Sequence, residues 1–176
     1  MLAELAGETI VRRSARTAIA AGLSPVVIVL GHQAELLREE LRDLPVLTPV
    51  AMGPAGPTSS SLHTGLEQLG DVDAVIVMLA DMVLTSADMI AAMLETFRRT
   101  GAPVIASRYG RTVAPPFLFH QGLFGELLSL EGDGAGRRVV KAHRAVAQII
   151  EWDRELLLDV DTPADLERAK RLRLLV

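Results

Sequence analysis

Residues 75–81 read VIVMLAD, an apolar run that ends on the carboxylate of Asp81. A second run over residues 156–163 reads LLLDVDTP and places Asp161 after another apolar segment. Each run is typical of a buried strand, and ligands in an open parallel sheet bind beyond the carboxyl ends of its strands. We therefore expect Asp81 and Asp161 to converge on one hard cation such as Mg²⁺, which proteins usually hold with one or two carboxylates, water and substrate phosphates. The pair indicates phosphate chemistry.

The aspartates also have simpler interpretations. An aspartate after a strand is often only a helix cap or a turn former. Asp161 directly precedes Thr162 and Pro163, so it can serve merely as the cap of a final helix, and Asp159 can be the partner that orients it.

The rest of the chain alternates predicted helices with predicted strands. Residues 26–30 form a continuous β-branched run, typical of a strand covered on both faces. Other strands are predicted over residues 46–50, 74–79, 104–106, 117–119, 146–150 and 156–160, with a turn-rich loop over 110–116. Helices are predicted over residues 8–21, 34–41, 59–69, 85–99, 122–128 and 136–142 and from Pro163 onward. This order predicts one three-layer α/β domain over residues 1–176, with a Rossmann-like, mostly parallel sheet.

Composition excludes several classes of protein. The 176 residues carry a net charge of −4 with 18 basic residues, without the basic surplus of a nucleic-acid binder. Apolar residues make up 49% of the chain, which argues against disorder. The apolar runs fall short of the ~18 residues that a membrane span needs. The absence of cysteine excludes disulfides and thiol catalysis, and we expect a cytoplasmic protein that binds neither nucleic acid nor membranes.

Two loops have the composition of anion-binding segments. Residues 56–62 read GPTSSSL and offer hydroxyl and backbone N–H groups at the start of a helix, which can bind a phosphate, a ribose or a base. Residues 132–138 read GDGAGRR, in which glycines permit close backbone approach and Arg137 or Arg138 can reach a phosphate. On spacing alone, a plain helix cap and a solvated loop explain the two segments as well. The dinucleotide pattern GxGxxG and the Walker pattern are both absent from the sequence.

Six short segments follow one another along the chain in a recognisable order. They are AAG at residues 20–22, VLGH at 29–32, SSSLHTGL at 59–66, LADM at 79–82, the Gly-Asp and Gly-Arg pairs within 132–137, and LDVDTP at 158–163. In this order and spacing they resemble the MobA-like NTP-transferase family, especially the molybdenum-cofactor cytidylyltransferases. The resemblance covers nearly the whole chain. Members of that family join a nucleoside monophosphate from an NTP to a phosphorylated acceptor and release pyrophosphate.

The resemblance implies a nucleotide-diphospho-sugar-transferase-like fold and a nucleotidyltransferase activity. CTP is the favoured donor, so CMP is the group transferred. Molybdopterin cofactor is one phosphorylated acceptor that the resemblance implies. Asp81 and Asp161 are implied as the catalytic ligands of Mg²⁺. Ser60, Ser61 and Arg137 are implied as nucleotide contacts.

Two departures from the family pattern change what we expect of this chain. The family opens with a strand and a Leu-Ala-Ala-Gly loop whose arginine and lysine hold the triphosphate, and Met1 follows the point where that segment would end. We therefore expect an N-terminally truncated domain with unpaired strand edges beside residues 26–30 and 74–79. Such edges favour self-association. We also expect little activity unless the missing segment is supplied. Where relatives carry Gly-His-Pro, residues 114–116 read APP, which leaves the acceptor open.

Two other interpretations stay open. One is a noncatalytic nucleotide-binding remnant, or a fragment that pairs with another chain. The other is an oxidoreductase of the same family, against which the lack of a dinucleotide motif and of cysteine argues.

Overall fold

The computed structural model of the protein describes residues 1–51 and 58–173. Its strands are Glu4–Leu5 (β1), Glu8–Thr9 (β2), Val26–Val27 (β3), Val46–Leu47 (β4), Ala74–Val77 (β5), Val104–Tyr109 (β6), Thr112–His120 (β7) and Gln148–Trp152 (β8). Its α-helices are Ile10–Ala20 (α1), Ala34–Leu41 (α2), Thr58–Leu66 (α3), Ala87–Thr100 (α4), Phe124–Ser129 (α5), Ala135–Ala142 (α6) and Pro163–Arg173 (α7), with 3-10 turns at Gln121–Leu123 and Arg154–Leu156. None of these helices is long and apolar enough to cross a bilayer, within the residues described.

The main sheet is four-stranded, in the order β5-β7-β6-β8. Strand β7 runs antiparallel to both of its neighbours, whereas β6 and β8 are parallel. Strands β3 and β4 form a separate parallel pair, which continues to a bridge between Leu30 and Val50. Because only β7 is reversed within the main sheet, the predicted mostly parallel α/β architecture is confirmed.

Helices cover both faces of the main sheet, which explains why its strands read as continuous apolar runs. Val104 and Phe119 pack on one face against α3, α5 and α6. Ile105 and Leu118, the alternate residues of the same strands, pack on the opposite face against Met93 of α4. The chain therefore forms the three layers that its strand–helix alternation predicts.

The prediction of a turn-rich loop over residues 110–116 is wrong, because most of it belongs to β7. Prolines are disfavoured inside sheets, but they are tolerated at bulges, where no ladder hydrogen bond is needed. The β6–β7 register shifts between Ala106 and Ser107, and Pro115 and Pro116 lie in the extra length of β7. The Ser107 hydroxyl then donates to the Pro116 carbonyl over 2.9 Å.

The predicted strand over residues 156–160 is also wrong. The segment contains the end of a 3-10 turn and a single antiparallel bridge between Asp159 and Met82. Its apolar residues pack into two different hydrophobic clusters and do not alternate between the two faces of a strand. Leu157 packs near Tyr109, whereas Leu158 packs in the cluster of Leu5 and α7. Asp161 therefore does not follow a strand, although it precedes α7 as predicted.

Strands β3 and β5 are both edge strands, and no described residue forms a strand between them. They border a cavity of about 580 Å³. Residues 26–29 line one side of it and residues 74–80 line the other, with residues of α1 and α3 also in the lining. The unpaired edges expected from the sequence are thus present in the fold.

Candidate functional site

Asp81 lies in the turn that follows β5, and its side chain is half-buried. Its Oδ1 atom is enclosed and has no hydrogen-bond partner among the residues described. The Asp81 carbonyl accepts the backbone N–H of Val160 over 3.1 Å, which fixes the turn against the segment that carries the other acidic residues. Burial raises the pKa of Asp81, and the charges of Asp159 and Asp161 raise it further.

Asp159 and Asp161 reach Asp81 through tertiary structure. The Met82–Asp159 bridge holds the two segments side by side, and both carboxylates are exposed. Burial and the neighbouring charge of Asp161 raise the pKa of Asp159, whereas the guanidinium of Arg137 lowers it. Three negative charges therefore meet at one place, and their mutual repulsion favours the binding of a cation.

The donors of this acidic cluster, Asp81, Asp159 and Asp161, suit a hard divalent cation. Carboxylate oxygens are the ligands that Mg²⁺ prefers, and the enclosed Oδ1 of Asp81 is an unsatisfied acceptor. Among the described residues, no group of three or more His, Cys, Asp or Glu is placed to hold a metal ion. A cation at the acidic cluster would therefore need water or phosphate oxygens to complete its shell, as Mg²⁺ usually does in proteins.

A second part of the site joins the start of α3 to the loop before α6. Thr58 donates its backbone N–H and its hydroxyl to Asp133 Oδ1 over 2.9 and 3.1 Å. The backbone N–H of Gly134 donates to the Thr58 hydroxyl over 3.2 Å, and that of Gly132 donates to the Ser59 hydroxyl over 3.0 Å. Both segments stand out in the sequence, but the hydrogen bonds between them do not. The N-termini of α3 and α6 are consequently held next to each other.

The nucleotide contacts expected from the sequence lie in this part of the structure. Ser61 and Arg137 both line the cavity, together with Thr58 and Asp133. Ser60 is half-buried and is not among the lining residues. Arg137 is exposed, and its positive charge lowers the pKa of Asp159, so the guanidinium lies within electrostatic reach of the acidic cluster.

The polar end of the cavity can attract an anion. Helix N-termini present backbone N–H groups and the positive end of the helix dipole, and two of them meet here. The volume of about 580 Å³ lies within the range of about 300–1,000 Å³ that is usual for small-molecule sites. The polar end of the cavity therefore suits a small anionic ligand.

Two residues of the site have larger roles than their sequence context predicts. The sequence predicts only an orienting role for Asp159, yet the charge of Asp159 affects the pKa of Asp81 more than that of Asp161 does. The two aspartates of DVD at residues 159–161 are the local signal for this role. The sequence indicates no role for the side chain of Asp133, because a contact across 75 positions leaves no local pattern.

Comparison with solved structures shows the same fold in nucleotidyltransferases. Rv0371C from Mycobacterium tuberculosis H37Rv, solved as a complex with manganese, aligns over 97% of this chain and 90% of its own, with 24% identity and a TM-score of 0.80. A nucleotidyl transferase from Methanothermobacter thermautotroptrophicus aligns over 98% and 84%, with 19% identity and a TM-score of 0.83. CMP:2-keto-3-deoxy-manno-octonic acid synthetase complexed with CTP aligns over 99% and 91%, with 12% identity and a TM-score of 0.75.

The sequence itself identifies the family. Residues 1–147 match the family model of the MobA-like NTP transferase domain, which includes α3, the turn after β5 and the loop before α6. The match covers well over half of the chain. It shows that this chain belongs to the MobA-like NTP transferase family.

Proposed function

We propose that the protein is a nucleotidyltransferase that moves a nucleoside monophosphate from an NTP to a phosphorylated acceptor. CTP is the favoured donor, and molybdopterin cofactor is an example of such a phosphorylated acceptor. One observation carries the proposal. Two helix N-termini, joined by the Thr58–Asp133 bonds, form the polar end of a cavity, and Arg137 couples that end to the acidic cluster.

The acidic cluster is the proposed metal site. Asp81 and Asp161 would hold Mg²⁺, with Asp159 beside them. When bound, the cation supplies charge neutralisation and orientation of phosphate oxygens. The enclosed Oδ1 of Asp81 and the raised pKa of Asp81 and Asp159 support this assignment, and a protein of the same fold was solved with manganese.

The nucleotide would lie at the polar end of the cavity. Ser61 of α3, which lines the cavity, is the proposed contact to ribose or base, with Ser60 beside it outside the lining, and Arg137 is the proposed contact to a phosphate. An oxygen of the acceptor phosphate would attack the α-phosphorus in line, as the bond from that phosphorus to pyrophosphate breaks. No covalent intermediate with a protein side chain is required. The choice of CTP rests on the sequence resemblance and on a relative of the same fold that was solved with CTP.

Nucleotide binding without turnover is the second candidate. Arg137 is the only cationic side chain among the described residues that line the cavity. Transfer from an NTP develops charge on several phosphate oxygens, and each missing transition-state donor costs about 10²-fold or more in rate. The residues described would therefore bind a nucleotide more readily than they would catalyse its transfer.

A ligand screen separates these functions. Thermal unfolding and isothermal titration calorimetry are measured with CTP, GTP, ATP and NAD, each with Mg²⁺, with Mn²⁺ and with EDTA. We expect metal-dependent stabilisation that is largest with CTP. Equal stabilisation by NAD in EDTA would contradict the proposal and would favour an oxidoreductase. Pyrophosphate release from CTP with a phosphorylated acceptor then distinguishes a transferase from a protein that only binds the nucleotide.

A further inference from the structure

We propose that the outer edge of β8 is a homodimer interface, on which β8 of a second copy pairs antiparallel about a two-fold axis. The two main sheets then join into one continuous sheet, with four strands from each copy. β8 lies at the opposite edge of the main sheet from β5, which borders the cavity. The interface is therefore separate from the proposed nucleotide site, and its existence does not depend on the proposed activity.

The outer edge of β8 is unpaired in the part of the chain that the structure describes. β8 is the last strand in the order β5-β7-β6-β8, and it pairs on one side only, parallel to β6. Backbone groups of a strand point alternately to its two sides, so about half of the N–H and C=O groups of β8 face outward. An edge of this kind is a ready template for another strand.

The middle of this edge is apolar and exposed. Ile149 is 40% exposed, and Val146, in the turn before β8, is 52% exposed. Ile149 lies opposite Ala106 of β6, which packs in the same hydrophobic cluster as α6. Neighbouring residues of paired strands share a face, so Ile149 extends the apolar face beneath α6 to the open edge of the sheet. A two-fold axis at Ile149 would bury this side chain against its own copy.

The start of β8 carries positive charge. Lys141, in the last turn of α6, and Arg144, just after it, are exposed and form no ion pair with a described residue. The backbone N–H groups of Val146 and Ala147 both donate to the His143 carbonyl over 3.0 Å. This tight turn places the two cations beside the start of β8.

The other end of β8 carries negative charge. Asp153 and Glu155, at the start of the 3-10 turn after β8, are exposed. Glu151 of β8 is already paired with Arg108 of β6. Arg154 is the one cation among residues 151–155, and its side-chain carbons lie beside Gly110, on the β6 side of β8. The charge that faces outward at this end is therefore that of Asp153 and Glu155.

Antiparallel pairing of two copies brings opposite charges together. With Ile149 on the axis, the turn before β8 of one copy lies beside the turn after β8 of the other. Lys141 and Arg144 then approach Asp153 and Glu155 of the second copy, and the two-fold axis repeats the same contacts on its other side. Parallel pairing would instead bring like charges together. A second copy of this chain is therefore the partner that fits the edge.

Charge reversal tests the interface. Because a five-residue strand makes a small contact, we expect a weak dimer that increases with protein concentration and dissociates at high salt. Lys141→Glu with Arg144→Glu should weaken dimerisation by about tenfold or more, since like charges then face each other. Adding Asp153→Lys and Glu155→Lys should restore it. Sedimentation equilibrium measures the dissociation constant of each variant.

Arg98→Glu with Arg99→Glu is the matched control. These cations are also exposed in the last turn of a helix, α4, and their reversal changes the net charge by the same amount. The ring of Phe97 beside them lies 6.1 Å from that of His120 of β7, so this end of α4 lies over an inner strand. Dimerisation should be unchanged. Equal losses in the two charge-reversed variants would show an effect of net charge and would overturn the interface.

A single cysteine locates the axis. The chain has no cysteine, so Ile149→Cys introduces one thiol per copy. Opposite residues of an antiparallel pair have Cα atoms about 4.5–5.5 Å apart, within the range that a disulfide spans. We expect mild oxidation to give a covalent dimer from Ile149→Cys and none from Leu36→Cys, at an exposed position of α2.

Two results would overturn the proposal. One is a protein that stays monomeric at its highest soluble concentration. The other is a dimer that Ile149→Cys does not cross-link, because the two copies would then meet at a different strand edge.

Discussion

Thr58 and Asp133 are joined by two hydrogen bonds across 75 positions of sequence, because the backbone N–H and the hydroxyl of Thr58 donate to the same carboxylate oxygen. The two bonds lower the pKa of Asp133. A single carboxylate thereby positions the first turn of α3 against the loop before α6. The polar end of the cavity depends on this connection, since each helix alone would present only one N-terminus.

Replacing Asp133 with alanine should loosen that end of the cavity. Asp133→Ala removes the oxygen that accepts both hydrogen bonds from Thr58, so we expect a lower melting temperature and a severalfold weaker affinity for CTP, measured by calorimetry. Asp71→Ala, at an exposed aspartate after α3, is the matched control and should leave CTP affinity unchanged. Equal CTP affinity in Asp133→Ala and the unmodified protein would show that the connection does not position the nucleotide.

Replacing Asp81 with asparagine should have opposite effects with and without metal. Without metal, the variant should melt a few degrees higher, because it removes a charge that is half-buried and repelled by Asp159. For a domain of this size, about 1 kcal/mol of unfolding free energy shifts the melting temperature by about 2–4 °C. The stabilisation by Mg²⁺ or Mn²⁺ should disappear. Asp73→Asn, before the start of β5, is the control and should retain the metal response. Metal stabilisation that survives in Asp81→Asn would place the cation elsewhere.

The stability of the metal-free protein should depend on the charge of the acidic cluster. Burial and like charges raise the pKa of Asp81 and Asp159 above the ordinary value of 3.8, so the folded state holds these protons more tightly than the unfolded state does. Their unfavourable contribution is therefore absent well below pH 3.8 and grows as the pH rises through the raised values.

Urea unfolding can measure this dependence. The advantage of Asp81→Asn over the unmodified protein should increase from about pH 4 to pH 7 and should shrink when a divalent cation is present. An advantage that stays constant over this range would mean that the charge of Asp81 is not its source.

Arg137 should act on the nucleotide through charge. Arg137→Gln should weaken the binding of CTP more than that of cytidine, because only CTP carries the phosphates that Arg137 is proposed to contact. Arg138→Gln is a close control, since Arg138 is also exposed but donates to the Glu131 carbonyl. Equal losses in the two variants would indicate a general effect of net charge.

The serines of α3 should differ in importance. Ser61 lines the cavity and Ser60 does not, so we expect Ser61→Ala to weaken CTP binding severalfold and Ser60→Ala to change it little. Both melting temperatures should stay close to that of the unmodified protein, because neither hydroxyl bonds to another of the described residues in the way that Ser59 bonds to Gly132. A larger loss in Ser60→Ala would mean that the nucleotide lies on the other side of α3.

Some elements could be predicted because local sequence determines them. Helix α2 has the predicted bounds, Ala34–Leu41, since its apolar residues recur at helical spacing. Helix α7 starts at Pro163, whose fixed backbone angle suits a first helical turn. Two local predictions failed at residues 110–116 and 156–160, where a bulge accommodates the prolines and where separate clusters divide one apolar run. In both, the neighbouring elements decided the conformation.

The sequence by itself determined the α/β class, the order of motifs and the family, because apolar periodicity and short motifs are carried by adjacent residues. Only the tertiary structure decided that Asp159 joins Asp81 in the acidic cluster and that Asp133 connects α3 to α6. These relationships join residues far apart in the chain, through charge and hydrogen bonds. Their energies depend on distances that exist only after the chain has folded.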